Sequence, residues 1–182
     1  MLKEQPDIVN SLRGVNGRSL LMKGAARGDT QIVSLLSKRD HDLSVVDEYY
    51  GGNVLVWIVV YNDGVSLEMF NSLEATQFTS DIINNQDIIN DTALHRAALT
   101  NNHKSIAWLF NHGADPSITN KRGQRPGEDD YRCDDKTKRL IQSFRNQSKW
   151  NFIILFYFGS INFWMHNLLN AIFFWMLSFF FY

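Results

Sequence analysis

Three stretches of the chain share one order of apolar and polar positions. They are GRSLLMKGAARGDTQIVSLL from Gly17, GGNVLVWIVVYNDGVSLEMF from Gly51 and NDTALHRAALTNNHKSIAWLF from Asn90, and a fourth start, GQRPGEDD, follows from Gly123. These starts lie 34, 39 and 33 residues apart. A period near 33 residues, with a small residue, two short apolar segments and a loop in each unit, predicts an all-α solenoid of helix–turn–helix repeats.

The third stretch shows the expected elements most clearly. Thr92 stands where its hydroxyl can cap a first helix, and the alanines at 97 and 98 allow neighbouring first helices to approach closely. A second helix is predicted at about residues 104–111, and Gly113 ends it because glycine adopts the left-handed conformation at little cost. The residues expected to be buried at helical spacing on this second helix are Ile106, Leu109 and Phe110.

The middle stretch departs from its neighbours. Ile58 and Val59 replace the small pair, and VLVWIVVY is compatible with a buried strand as well as with a helix, since short apolar runs are ambiguous. The following loop, LEATQFTSDIINNQ, accounts for the longer 39-residue interval. The middle repeat is therefore the place where irregular geometry is expected.

Both ends of a solenoid need caps with a polar outer face. We expect a capping helix within residues 1–14, three repeats at about residues 15–48, 49–86 and 87–120, and a C-terminal cap at 121–146. The first cap is expected to bury Ile8, Val9 and Leu12, and the second cap Leu140, Ile141 and Phe144.

Charge divides the chain into two parts. The 18 basic and 19 acidic residues all lie within residues 1–149, whereas the last 33 residues carry 14 of the 24 aromatic residues. Such a run exceeds the length of a membrane span, so residues 147–182 form an apolar tail. We expect a hydrophobic C-terminal helix that spans a membrane at about 161–182, with 150–158 at the interface.

The tail suggests an orientation and a contact. Lysines and arginines before it favour a repeat domain on the cytoplasmic side. Asn162, His166 and Asn170 recur every four residues, a polar stripe that predicts self-association in lipid. The alternative is that the tail is an accidental extension from a frameshifted or truncated gene, because its composition resembles translated AT-rich DNA. The chain would then be cytoplasmic or secreted into a host cell.

The sequence gives little support for a catalytic, metal-binding or nucleic-acid-binding site. A net charge of -1 argues against nucleic-acid binding, and no histidines have a zinc-site spacing. The motifs GxGxxG, GxxxxGK[ST] and GxSxG are absent. Cys133 is expected to be an exposed thiol without a catalytic role. We therefore expect a protein that is not an enzyme, without cofactor, metal or small-molecule substrate.

The third repeat resembles an ankyrin repeat. The matching residues are the TPLHxAA-like positions Thr92, Leu94, His95, Ala97 and Ala98 and the turn residues Gly113, Ala114 and Asp115. The first repeat keeps GAARGDTQIVSLL, the second is weaker, and the resemblance covers roughly residues 15–130. It implies that His95 is a scaffold residue, held by hydrogen bonds near the turn that joins successive repeats.

The resemblance also implies a function, which is binding another protein through a concave groove and the turn tips. Alignment of the repeats puts Lys23, Trp57 and Arg96 at one position, and Arg27, Tyr61 and Thr100 one turn further on. We expect these six residues to bind a partner with acidic side chains. The alternatives are an oligomeric membrane component with a regulatory head and, for Trp57, a place in the core of the middle repeat.

Overall fold

The computed structural model describes residues 12–38, 42–61, 66–73, 78–129 and 131–146, except for the side chains of Val15 and Tyr61. These residues form helices and no strand, apart from an isolated bridge between Arg13 and Ser19. A 3-10 turn at Val15–Gly17 comes first. The α-helices are α1 (Leu20–Arg27), α2 (Thr30–Ser37), α3 (Val54–Tyr61), α4 (Ser66–Ser72), the single turn α5 (Ser80–Ile83), α6 (Ala93–Leu99), α7 (His103–Asn111) and α8 (135–146).

The chain divides into two compact units, Met1–Ile141 and Gln142–Tyr182. The first unit contains α1 to α7. Apart from the single turn α5, these helices pack as pairs: α1 with α2, α3 with α4, and α6 with α7. The first helices stack in the order α1, α3, α6, and the second helices in the order α2, α4, α7. This arrangement confirms the predicted all-α repeat solenoid. Of the second unit, the described part is the end of α8.

Each pair of helices begins at short polar side chains. Ser19, Asn53 and Thr92 each accept a hydrogen bond from a backbone N–H in the first turn of α1, α3 and α6, at 3.2, 3.1 and 3.4 Å. Asp29 and Asn102 cap α2 and α7 in the same way, at 2.9 and 3.0 Å. Such caps satisfy N–H groups that have no partner within the helix, so they determine where each helix starts.

The segment VLVWIVVY forms helix α3, which excludes the strand interpretation. Its residues 54–59 are all buried, with Ile58 and Val59 at 0% and 1% exposure. Helix α3 lies between α1 and α6 and also packs on α4. A helix enclosed on several sides is apolar around its circumference, so the alternation that would identify it from sequence is absent.

The N-terminal cap differs from the prediction. Residues 12–14 are not helical and Leu12 is 49% exposed, so its expected burial is wrong. Instead, Arg13 bridges to Ser19, and the Gly14 N–H donates to the Arg18 carbonyl at 2.8 Å. Ile8 and Val9 lie outside the described residues.

The predicted C-terminal cap region contains helix α8. Asp134 accepts a hydrogen bond from the Thr137 N–H at 2.6 Å, which starts the helix. Ile141 is buried at 1% exposure, whereas Leu140 and Phe144 are half-buried. The predicted tail helix at 161–182, with its stripe of Asn162, His166 and Asn170, lies outside the described residues. Within the described ranges, every helix is too short or too polar to cross a membrane.

Candidate functional site

Three turns, each preceding a first helix or the C-terminal cap, are organised by one side chain each. The carboxylates of Asp47 and Asp87 and the amide oxygen of Asn120 accept backbone N–H groups of their own turns at 2.7 to 3.1 Å. Each turn also holds one residue with positive φ, at +68°, +61° and +73° respectively. These residues are Gly51, Asn90 and Gly123.

Backbone hydrogen bonds connect consecutive turns. The N–H groups of residues 48, 88 and 121 donate to carbonyls of the preceding turn at 2.8, 2.9 and 2.9 Å; the acceptors are Asn16, Tyr50 and Ile89. Together with the turn at Asn16, the turns therefore form a row along one edge of the stack, at the entrances to α1, α3, α6 and the C-terminal cap.

Trp57 on α3 lies against its own turn. Its indole N–H donates to Asp47 Oδ2 at 3.2 Å, and the Arg18 guanidinium carbon lies 3.8 Å from its ring centroid. The Tyr50 ring centroid is 6.2 Å away. Trp57 is only 3% exposed, so the prediction of an open groove position is corrected: the side chain packs in the core of the middle repeat.

Arg96 occupies the equivalent position on α6 and is ion-paired. Its guanidinium donates to Asp87 Oδ2 through Nη2 and Nε, and Nε lies 3.5 Å from Asp91 Oδ2. Both aspartate side chains are 1% exposed, and the Asn120 amide donates to Asp91 at 2.9 Å. Two buried carboxylates thus already compensate this cation, although its position in the repeat alignment predicted that it would be available to a partner.

The remaining predicted binding residues lie at the surface, as far as their side chains are described. Lys23 and Arg27 are exposed on α1, and the Lys23 side chain passes over Gly14, where an added Cβ would lie 2.0 Å from Lys23 Cε. Thr100 is exposed, and its hydroxyl donates to the Arg96 carbonyl at 3.0 Å. Tyr61 ends α3, and its side chain is outside the described atoms.

A cavity of about 190 Å³ opens beside this row. We call it the Trp57 cavity. Tyr50 and Val60 at its wall are 42% and 39% exposed, which makes the cavity accessible from solvent. Its apolar lining comprises Tyr50, Val56, Trp57 and Val60, and its polar lining comprises Asp47, Asp87 and Arg96.

His95 is held at both ring nitrogens. Nδ1 accepts a hydrogen bond from the Thr92 N–H at 3.1 Å, so Nε2 carries the proton and donates to the Gln124 carbonyl at 3.1 Å. Burial lowers the pKa of His95, against the opposing effects of the Gln124 carbonyl and of Asp91 and Asp87. A neutral, 3%-exposed imidazole with two backbone partners joins the third repeat to the next turn rather than offering a base to a substrate.

The other repeat-motif residues lie in the core and in the turn after α7. Leu94, Ala97 and Ala98 are buried at 1%, 0% and 1% exposure. The turn takes φ +90° at its glycine, and the next N–H donates to the Leu109 carbonyl at 2.9 Å, while the exposed aspartate accepts the Ser117 N–H at 2.8 Å. These three turn residues are Gly113, Ala114 and Asp115.

Cys133 is buried, which corrects the prediction of an exposed thiol. It is 5% exposed, and its Sγ donates to the Ala98 carbonyl at 3.4 Å. Burial raises the pKa of the thiol, against the opposing effect of its hydrogen bond with the Asp129 backbone. The residue therefore connects the cap to α6 as a small packed side chain.

Sequence reasoning missed the residues that organise the site. Asp47, Asp87, Asp91 and Arg18 were not singled out, although aspartate precedes Trp57 by ten positions and Arg96 by nine. This recurrence was the available signal. Its meaning depends on the turn geometry, which brings the carboxylate back to the first helix.

The stacked helix pairs and their row of turns define a helical-repeat protein. A family model described as ankyrin repeats (3 copies) matches residues 1–120, about two thirds of the chain, so the chain belongs to the ankyrin repeat family. Comparison with curated proteins gives no significant match. Ankyrin repeats indicate a protein–protein interaction module, and proteins of this family are generally non-enzymatic.

Proposed function

We propose that this module binds its partner protein at the Trp57 cavity and the adjoining turn. The observation that carries the proposal is a group of exposed apolar side chains around the cavity mouth and the turns next to it. Their exposures run from 39% to 61%, and the residues are Val46, Tyr49, Tyr50, Val60 and Ile88. Exposed apolar clusters on a soluble surface mark interaction sites.

The geometry suits a binding surface. The Tyr49 and Tyr50 rings are in edge contact at 4.7 Å between centroids, and large aromatic side chains dominate the energetics of interfaces. Backbone N–H groups that donate to the Asp47 carboxylate hold the turn that carries both tyrosines. A preorganised turn loses little conformational entropy when a partner binds.

Val60→Glu tests this proposal by placing a charge at the cavity wall. The matched control is Leu35→Glu on α2, where the leucine is also exposed, at 58%. Affinity capture with the full chain should retain a partner with wild type and with Leu35→Glu, and lose it with Val60→Glu. Equal retention by all three proteins would exclude the Trp57 cavity as the binding site.

Lys23→Glu tests the basic side of the predicted groove in the same assay. Arg96→Glu is unsuitable for this purpose, because a third carboxylate beside Asp87 and Asp91 would disturb the fold. If Lys23 contacts acidic groups of the partner, charge reversal should lower the association rate. It should also make that rate less dependent on salt concentration.

We also propose that the tail at 161–182 attaches the protein to a membrane, with the repeats on the cytoplasmic side. The support is the absence of acidic and basic residues after Lys149. Wild type should resist carbonate extraction and float with liposomes, whereas a variant with Leu168→Lys, Phe173→Lys and Leu177→Lys should not.

Self-association through the polar stripe is a separate part of the tail proposal. Replacement of Asn162, His166 and Asn170 by leucine should abolish cross-linked oligomers while membrane attachment persists. Persisting oligomers would argue against the stripe. A tail that neither attaches to membranes nor self-associates would favour the accidental extension, which sequencing of the gene beyond its stop codon would test directly.

A further inference from the structure

The acidic and basic groups around the Trp57 cavity differ in how completely they are satisfied. Both oxygens of Asp47 accept hydrogen bonds, Oδ1 from two turn N–H groups and Oδ2 from the Gly52 N–H and the Trp57 indole. Asp87 is bound in the same way by turn N–H groups and Arg96. The buried carboxylates of this wall are therefore compensated from within the protein.

Arg18 is different. Its guanidinium stacks on Trp57, but its Nε is buried without a hydrogen-bond partner. Within the described part of the chain, neither Arg18 nor the exposed Lys23 and Arg27 forms an ion pair. Glu48 is the exposed acid of the adjacent turn, and its side chain lies against Gly17. The first repeat thus carries positive charge that these ion pairs do not compensate, and Arg18 brings it to the Trp57 ring.

We propose that the Trp57 cavity binds an extended segment of a partner protein that presents an apolar side chain next to an aspartate or glutamate. The apolar side chain enters the cavity between Tyr50, Val56 and Val60, and the carboxylate pairs with Arg18. The inference rests on the proposed function and specifies the chemistry of the partner.

The stacking geometry supports this assignment. The Arg18 guanidinium carbon is 3.8 Å from the ring centroid of Trp57, and Trp57 is one of the side chains that line the cavity. Stacking on Trp57 also fixes the guanidinium plane, and because Nε is buried, a partner carboxylate would pair with the two Nη groups.

Peptide arrays provide the test. The full chain, kept in solution with a mild detergent, is applied to Gly/Ser-flanked peptides in which two central positions vary through all amino acids. We expect the strongest binding for apolar–acidic pairs. The affinity should fall on the order of fivefold when the aspartate or glutamate is replaced by its amide. If no peptide binds, or if acid and amide peptides bind equally well, the inference is wrong. This test needs no substitution in the protein.

Variants assign the effect to Arg18. Arg18→Gln should remove the preference for acid over amide, Arg18→Lys should keep part of it, and Arg132→Gln, at an exposed arginine on the C-terminal cap, should leave it unchanged. A preference that survives in Arg18→Gln would overturn the assignment. Val60→Glu should abolish binding of every peptide.

The two proposals fail differently. If Val60→Glu blocks partner capture while the array shows no acid preference, the binding site stands and the partner chemistry is wrong. If capture is unaffected by Val60→Glu, the proposed site itself is wrong. In wild type, the indole N–H resonance of Trp57 should shift on addition of an apolar–acidic peptide and stay unchanged with its alanine–acidic analogue.

Discussion

The second and third repeats place different side chains at one position, yet both side chains bind an aspartate of the preceding turn. Trp57 donates one indole N–H to Asp47, and Arg96 donates two guanidinium N–H groups to Asp87. The conserved feature between the two repeats is therefore the buried acceptor, while the donor changes from a neutral ring to a cation.

The exchange of donor changes what each repeat can offer to a partner. In the third repeat, the Arg96 guanidinium is ion-paired with Asp87 and Asp91. In the second, the indole satisfies Asp47 without charge, and Arg18 from the first repeat stacks on its ring. Equivalent positions in a repeat alignment are thus equivalent in backbone placement, but not in availability for binding.

The largest expected effect is on the third repeat. Arg96→Met removes the cation from two buried carboxylates and should lower the free energy of unfolding by about 3 kcal/mol, toward the lower end for broken buried pairs because the arginine side chain is 25% exposed. Urea unfolding followed by circular dichroism measures this, with Arg132→Met as the exposed control. A loss equal to that of the control would mean that the ion pair is not structural.

The second repeat should respond less to loss of its donor. Trp57→Phe leaves Asp47 Oδ2 with the Gly52 N–H as its remaining hydrogen-bond donor, and should cost about 2 kcal/mol beyond the loss of ring area. Trp108→Phe is the matched control: Trp108 is 7% exposed and stacks on Phe70 at 4.4 Å. Equal destabilisation of both variants would contradict a specific role for the indole N–H.

A third difference concerns pH, because the third repeat holds His95 where the second has Val56. The pKa of His95 is lowered by burial, so the unfolded chain binds a proton more readily than the folded one. The contribution of His95 is therefore complete above its ordinary value of 6.5 and decreases as pH falls below it.

His95→Gln isolates this contribution. At pH 7.5 the free energy of unfolding of the variant should be about 1.5 kcal/mol lower than that of wild type, because its hydrogen bonds are weaker. This difference should become smaller toward pH 5. Asp134, whose pKa is lowered chiefly by its hydrogen bond from the Thr137 N–H, titrates in a more acidic range. A difference independent of pH would show that His95 binds a proton equally well in the folded and unfolded states.

The smallest effect is expected at the end of the third repeat. Gly113 has φ +90° and an added Cβ would meet no atom within 4 Å, so Gly113→Ala should cost about 1 kcal/mol from backbone conformation alone. Gly113→Asn should cost less, since asparagine tolerates this region. Thermal unfolding of both variants measures the difference, and an asparagine variant less stable than the alanine variant would contradict it.

Local signals predicted much of the fold. Thr92 caps its helix as expected, and the apolar spacing placed α7 within one residue of its observed start. The signals failed where burial is nearly complete: α3 is enclosed by α1, α4 and α6, so it shows no amphipathic alternation. Cys133 was misjudged for a related reason, since α6 covers it from a distant part of the chain.

The sequence by itself determined the repeat, its helices and the positions that correspond between units, because caps, glycine stops and apolar spacing act within a few residues. Only the tertiary structure decided which of the aligned side chains reach solvent. Asp47 binds Trp57 and Asp87 binds Arg96 through turns that fold back on the first helices, and Arg18 reaches Trp57 across a repeat boundary. Burial and charge compensation are properties of these contacts, so they appear only once the repeats are stacked.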